Sequence, residues 1–254
     1  MRKILASVLT AAAVCTAAPA LAADMPEYEY EIPDVDYDIG GSFYLRGSAA
    51  LNLHWAREVR HAPTWAGQIV HPIETLGYGY SWGVGFGYET GTGLRFDATI
   101  DTLETKGISI SKPDGIAAPD EAGRYSLFLR STVALANVYY DFGFGDLMGG
   151  YGSEGGAFGY VGAGAGLAWN IAEVNATHPT TPPTAVPIGG NISPAAAVMV
   201  GVGYDMGTWV ADVGYRGLYI NQINNAPTEF PGQYYSIDHN LIHELRGTVR
   251  YRFN

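Results

Sequence analysis

From residue 43 the chain alternates. In Phe43-Tyr44-Leu45-Arg46-Gly47-Ser48-Ala49-Ala50-Leu51-Asn52-Leu53-His54 the odd positions are apolar or Gly, while the even ones include Arg, Ser, Asn and His. A period of two held over that length predicts a β-strand with unlike faces. The second alternating segment is more extreme. Tyr78, Tyr80, Trp82, Val84, Phe86 and Tyr88 interleave with Gly79, Ser81, Gly83, Gly85 and Gly87. One face is bulky there and the other is nearly bare, which leaves local space. After the short turn Glu89-Thr90-Gly91-Thr92-Gly93, Leu94, Phe96, Ala98 and Ile100 oppose Arg95, Asp97, Thr99 and Asp101.

Five more strands follow. The fourth covers roughly 125–141 and its phase slips near Asn137, where Leu127, Leu129, Val133 and Leu135 give way to Val138, Tyr140 and Phe142. A β-bulge is the expected cause. The fifth (158–170) sets Val161, Ala163, Ala165, Leu167 and Trp169 against Gly162, Gly164 and Gly166. The sixth (196–206) and seventh (209–220) join through Met206-Gly207-Thr208, and the eighth spans 241–253. Connections after the odd strands are long (56–76, 105–124, 171–195 and 221–239), and those after the even strands are shorter. A soluble sandwich has no reason to sort its loops in this way. A membrane barrel does, with long extracellular loops and short periplasmic turns. The expected fold class is all-β: an eight-stranded antiparallel transmembrane β-barrel with both ends of its sheet on the periplasmic side.

Charges and aromatics sharpen that expectation. Seven arginines fall on strands, at Arg46, Arg95, Arg130, Arg216, Arg246, Arg250 and Arg252, and each is expected to face the lumen. An Arg turned toward lipid at mid-depth costs roughly 2–4 kcal/mol. Asp97, Asp101, Asp212 and Glu244 are expected to share the interior. With strands running alternately up and down, Phe43, Tyr88, Phe96, Tyr139, Tyr204, Trp209, Tyr251 and Phe253 gather near the periplasmic end. Trp55, Tyr78, Trp169 and Tyr219 gather near the outer end. Two aromatic girdles are what membrane interfaces favour.

Composition adds the cellular setting. Arg2 and Lys3 precede an Ala-rich apolar run that ends in Ala20-Leu21-Ala22, so residues 1–22 read as a cleaved signal segment. Cys15 falls within it, which leaves the expected mature chain without cysteine and hence without disulfides or thiolate metal sites. Residues 23–41 form an expected periplasmic arm that carries Asp24, Glu27, Glu29, Glu31, Asp34, Asp36 and Asp38 with Pro26 and Pro33 and no base. The barrel is assigned to 42–254. A formal net charge of −11 and the lack of any basic cluster exclude a nucleic-acid partner. The 34 Gly among 254 residues are nearly twice the ~7% norm and exclude a helical bundle.

Several ordered segments resemble the small alphaproteobacterial outer-membrane β-barrel proteins, an OmpA-like or porin-family eight-stranded group. They are the acidic arm, Phe43-Tyr44-Leu45-Arg46-Gly47, Asn137-Val138-Tyr139-Tyr140-Asp141-Phe142 and Tyr160-Val161-Gly162-Ala163-Gly164-Ala165-Gly166. To these are added Gly214-Tyr215-Arg216, His243-Glu244-Leu245-Arg246 and Arg250-Tyr251-Arg252-Phe253. The resemblance implies an outer-membrane protein in contact with lipid and lipopolysaccharide. It also implies that the barrel-assembly machinery reads the last strand through Phe253, Tyr251, Val249 and Leu245. Asn254 after the final aromatic departs from that pattern.

Candidate chemistry is sparse. An eight-stranded barrel is just wide enough for side chains, so the interior charges are expected to pair into a plug. Seven Arg against four acids would make any leak prefer anions. A hydrolase or acyltransferase needs a Ser, a His and an acid together. His243 and Glu244 are adjacent and point to opposite faces, and His54 has no sequence-local partner. His61, His71, His178 and His239, in or beside loops, with Tyr234 and Tyr235, are the candidates for haem or a metal, which some members of the resembled group bind. They show no ligand spacing. The expectation is no enzyme, no cofactor and no metal. The expected role is a structural outer-membrane barrel that supports envelope integrity and presents loops, with the acidic arm meeting cell-wall components. A small anion-preferring channel is the alternative, and a surface receptor for haem or a host component comes third.

Overall fold

The computed structural model describes residues 40–62, 69–112, 123–144, 156–177, 188–227 and 234–253. The signal segment, the arm through Ile39, His178 and Asn254 lie outside the described residues. Among the described residues ten strands run in chain order: β1 (Ser42–Trp55), β2 (Glu58–Ala62), β3 (Ile69–Pro72), β4 (Gly77–Glu89) and β5 (Leu94–Lys112). Then come β6 (Gly123–Gly143), β7 (Gly156–Thr177), β8 (Ile188–Asp205), β9 (Trp209–Asn224) and β10 (Tyr234–Phe253). Eight of them, β1 and β4 to β10, form an antiparallel ring in the order β1-β4-β5-β6-β7-β8-β9-β10. The ring closes where β1 pairs with β10, from Phe43 opposite Phe253 to Trp55 opposite Leu241. Closure gives each of the eight ring strands a partner on both sides.

One end of the ring holds the start of β1, the end of β10 and the tight turns, and is termed the turn end. At the β8–β9 turn Gly207 adopts φ +87°, and its N–H donates to the Asp205 carboxylate at 2.8 Å. A residue with a Cβ would be strained there. The opposite, hairpin end differs from the sequence reading. The strands run well past their predicted bounds: β5 to Lys112, β7 to Thr177, β9 to Asn224, and β10 begins at Tyr234. Much of each predicted long loop is therefore strand. β2 and β3 form a hairpin of their own, with β2 pairing against residues 234–237 of β10. The Glu74 N–H beyond β3 donates to the Ser109 carbonyl of β5 at 3.0 Å. The hairpin thus bridges β10 and β5 above the ends of β1 and β4.

The predicted bulge at Asn137 is corrected. The β5–β6 register is unbroken from Leu94–Tyr140 to Thr105–Leu129, and the only shift in that pair falls between Thr105 and Ile108. Buried positions in β6 run without interruption through Leu127, Leu129, Ser131, Val133, Leu135, Asn137 and Tyr139. What changes at Asn137 is the chemistry of the interior, not the backbone.

The barrel has two tiers, whose exteriors part near Lys106 and Arg130. Toward the turn end the exterior is apolar: Leu51, Val84, Ile100, Val198 and Leu245 are 70%, 61%, 56%, 62% and 63% exposed. The interior behind them carries Arg, Asp and Glu. Toward the hairpin end the relation reverses. Val59, Ile108, Ile110, Leu127, Ile223 and Ile237 are buried inside, while Lys106, Ser111, Arg124, Ser126 and Asn175 are exposed outside. The reversal is partial, since Val70, Leu76 and Ile188 stay exposed there while His61, Asn224 and Ser236 are buried.

Candidate functional site: the barrel interior

The turn-end interior is a network of ion pairs. At its centre Asp101 on β5, Arg216 on β9, and Glu244 and Arg246 on β10 form a closed ring. Asp101 accepts from Arg216 at 2.6 Å and from Arg246 at 2.7 Å, and Arg246 also reaches Glu244 at 3.1 Å. Arg216 completes the ring on Glu244, which accepts a further bond from the Ser81 hydroxyl at 2.8 Å. In the ring order β5 and β9 are four strands apart in either direction, so the Arg216–Asp101 pair crosses the full lumen.

Below this ring Arg46 bonds Asp97 at 2.8 Å and the Tyr139 hydroxyl at 2.8 Å. Asp97 is held also by Tyr44 at 2.9 Å and Asn137 at 2.7 Å. Arg95 pairs with Asp141 at 2.9 Å and lies 4.1 Å from the Tyr139 ring centre. At the turn end Arg250 and Arg252 both bind Glu89, and Arg252 reaches Asp205. Asp212 accepts from the Tyr160 hydroxyl at 3.2 Å.

Two of the predicted interior and girdle residues sit elsewhere. Arg130 is corrected: it lies on the exterior of β6, half exposed, and pairs with Glu104 at 3.0 Å. It stands near the boundary where the exterior turns polar, so its charge needs no lumen. Tyr139 is also corrected, from the girdle to the interior, where it is 3% exposed. Tyr140 takes the exterior position at 54% exposure. Phe43, Trp55, Tyr78, Phe96, Trp169, Tyr204, Trp209, Tyr251 and Phe253 are exposed on the exterior. Tyr88 packs on Phe43 with ring centres 4.9 Å apart. The Tyr219 hydroxyl meets His239 Nδ1 at 2.7 Å.

The sequence reading missed Glu89, Asp141 and Asp205, which flank turns. Their inclusion changes the charge count. Six interior arginines (Arg46, Arg95, Arg216, Arg246, Arg250, Arg252) meet seven carboxylates (Glu89, Asp97, Asp101, Asp141, Asp205, Asp212, Glu244). Among the described residues the expected cationic excess is therefore not present, and the charge argument for an anion preference falls with it.

The bare glycine faces are filled as well. A Cβ on Gly83 would strike the Asp101 carboxylate, one on Gly162 the Tyr139 ring, and one on Gly164 the Asn137 side chain. A Cβ on Gly87 would meet the Tyr44 ring at 2.5 Å. The glycines make room for neighbouring interior side chains, not for a pore. A cavity lined by Arg46, Arg95, Tyr139, Tyr160, Arg216 and Arg246 measures about 10 Å³. That is room for about one water.

Among the described residues the histidines are dispersed. His54 is buried with Nε2 on Asn240 at 3.0 Å, and His243 meets the Tyr215 hydroxyl at 2.6 Å on the exterior. Glu244, next in sequence, points inward. His61, His71 and His239 lie in β2, β3 and β10 rather than in loops, and Tyr234 and Tyr235 open β10. His61 stacks on Tyr235 at 4.5 Å, and the His61 and His71 ring centres are 6.3 Å apart. Both histidines are buried, at 2% and 6% exposure. Among the described residues no group of three or more His, Cys, Asp or Glu is placed to hold a metal ion.

No family model matches the chain, and no curated protein does. Among solved structures it is similar to Neisserial surface protein A, at 21% identity over 84% of this chain and 99% of that one, with a TM-score of 0.44. It is similar also to the outer membrane protein OprG from Pseudomonas aeruginosa, at 10% identity over 84% and 97%, TM-score 0.46. A third is the attachment invasion locus protein of Yersinia pestis, solved with the heparin analogue sucrose octasulfate, at 9% identity over 83% and 99%, TM-score 0.36.

Proposed function

We propose that this chain is an integral outer-membrane β-barrel with a closed lumen, whose role is structural: it supports the envelope and presents its hairpin end at the cell surface. One observation carries this reading, the reversal of polarity along a single sheet. In water, an exposed belt that includes Leu51, Val84, Ile100, Val198 and Leu245 would be a large aggregation-prone patch. In a bilayer the same belt is the solvated surface. The hairpin-end tier, apolar inside and polar outside, follows the rule for water and belongs outside the membrane. Exterior Glu104, Arg130 and Lys106 mark the boundary.

The turn end then faces the periplasm, and the acidic arm 23–41 extends there toward cell-wall components after removal of residues 1–22. Assembly proceeds through the last strand, with Leu245, Val249, Tyr251 and Phe253 on its exterior face. The ordered motifs and the acidic arm support a place in the small alphaproteobacterial porin-family group. The ion-pair network spanning the diameter favours the structural role over a channel. The test of insertion is reconstitution. The mature chain, refolded into phosphatidylcholine vesicles, should float with them, resist trypsin and migrate differently on gels before and after boiling. A chain that stays in the aqueous fraction and is digested overturns the reading.

A further inference from the structure

The wall formed by β1 and β4 to β7 carries a concavity of about 770 Å³, lined on β1 by Leu45 and Arg46. Its floor is Ala98, Ala134, Ala136 and Ala165, and Ile100 and Trp169 are among its walls. The register lines these up: Ala98 stands opposite Ala136, and Ala136 opposite Ala165. Larger side chains, among them Phe86, Ile100, Leu167 and Trp169, line the same concavity as the alanines.

Directly above it on the same strands are two cations. The Lys106 ammonium on β5 lies 5.3 Å from the Phe128 ring centre, and the Arg130 guanidinium on β6 lies 5.8 Å from it. Lys106 is exposed, and Arg130 is held to Glu104 through one nitrogen at 3.0 Å. Tyr80 donates to the other Glu104 oxygen at 2.8 Å. One carboxylate thus stands beside two bases, and the cluster is net positive.

The spacing fits one leaflet. From Arg130 to Ala136 is six residues of β6, about 20 Å of strand. Tilted by the ~35–45° usual in such barrels, this spans about 15 Å of depth, half of a ~30 Å hydrocarbon core. A phosphate at the cations would place an acyl chain along the trough.

We propose that this face is a specific site for a membrane lipid with an anionic phosphate headgroup, bound by Lys106 and Arg130 with its chain on the alanine floor. The proposal rests on the outer-membrane reading above. It requires a preference of about fivefold for anionic lipid over zwitterionic lipid of the same chains, the effect of one net positive charge near a headgroup.

Native mass spectrometry of the refolded mature chain tests it, with phosphatidylglycerol, lipid A and phosphatidylcholine as probes. The wild type should retain one phosphatidylglycerol or lipid A molecule in preference to phosphatidylcholine. The double substitution Lys106→Gln/Arg130→Gln should abolish the headgroup preference. Ala136→Phe, which fills the trough, should remove the bound lipid of either kind, and Arg124→Gln should change nothing. Unaltered adducts and preference in both the double substitution and Ala136→Phe, on protein that still inserts and resists trypsin, would overturn the site alone. Failure of the wild type to enter vesicles would overturn the site together with the membrane reading.

Discussion

Arg216 and Glu244 stand directly opposite each other on β9 and β10, both buried, and the same guanidinium reaches across the lumen to Asp101 at 2.6 Å. A single side chain therefore links neighbouring strands to the far wall. Without Asp101, both Arg216 and Arg246 lose a buried counter-ion. Asp101→Ala should destabilise the barrel by about 3–5 kcal/mol, the cost of leaving buried charge unpaired. Urea unfolding of the refolded protein in vesicles measures this, and a loss below about 1 kcal/mol would mean that water already compensates the ring.

The glycines give a contrast within one type of substitution. Gly83→Ala places a methyl group against the Asp101 carboxylate and should cost about 1–3 kcal/mol through overpacking. Gly247→Ala, on the exterior of β10 with nothing near its Cβ, should stay within about 0.5 kcal/mol of wild type. Equal effects at the two sites would remove the claim that interior glycines seat interior side chains.

The hairpin-end tier should open separately from the ring. Ile108 is fully buried in the same apolar cluster as Val59 of β2 and Ile237 of β10. Ile108→Ala should cost about 2–5 kcal/mol of local stability. Hydrogen exchange should then show faster exchange of the β2 and β3 amides, with β1 and β4 unchanged. Uniform acceleration throughout the barrel would show one cooperative unit instead of two tiers.

Tyr139 and Tyr140 should respond oppositely. Tyr139→Phe removes the hydroxyl bound by Arg46 and should cost about 1–2 kcal/mol without altering the lipid-facing surface. Tyr140→Phe should be nearly neutral. The reverse ranking in urea unfolding would return Tyr139 to the exterior.

Much of this was legible because alternation survives wherever the two faces differ in chemistry. β1, β4 and the first half of β5 read directly from Arg, Asp and Gly against Leu, Phe and Trp. Legibility failed where the polarity rule reverses. In β6 the interior is Leu127, Leu129, Val133 and Leu135 above, and Asn137 and Tyr139 below, so a constant backbone phase looks like a slip. Tyr139 and Tyr140 are the same residue type, and pattern alone cannot assign their faces. Arg130 read as interior because charge was equated with lumen, which fails above the apolar belt. Glu89 reads as a turn residue and Asp141 and Asp205 as strand ends, since nothing local shows that arginines from other strands reach them. The β2–β3 hairpin escaped notice because its strands are only five and four residues long.

The central claim is that paired charges close the lumen. Planar-bilayer recording of the refolded mature chain measures it most directly. The account predicts no discrete conductance from the wild type, and steps appearing in Asp101→Ala/Arg246→Ala, which empties the centre of the network. Discrete wild-type steps that these substitutions leave unchanged would contradict it.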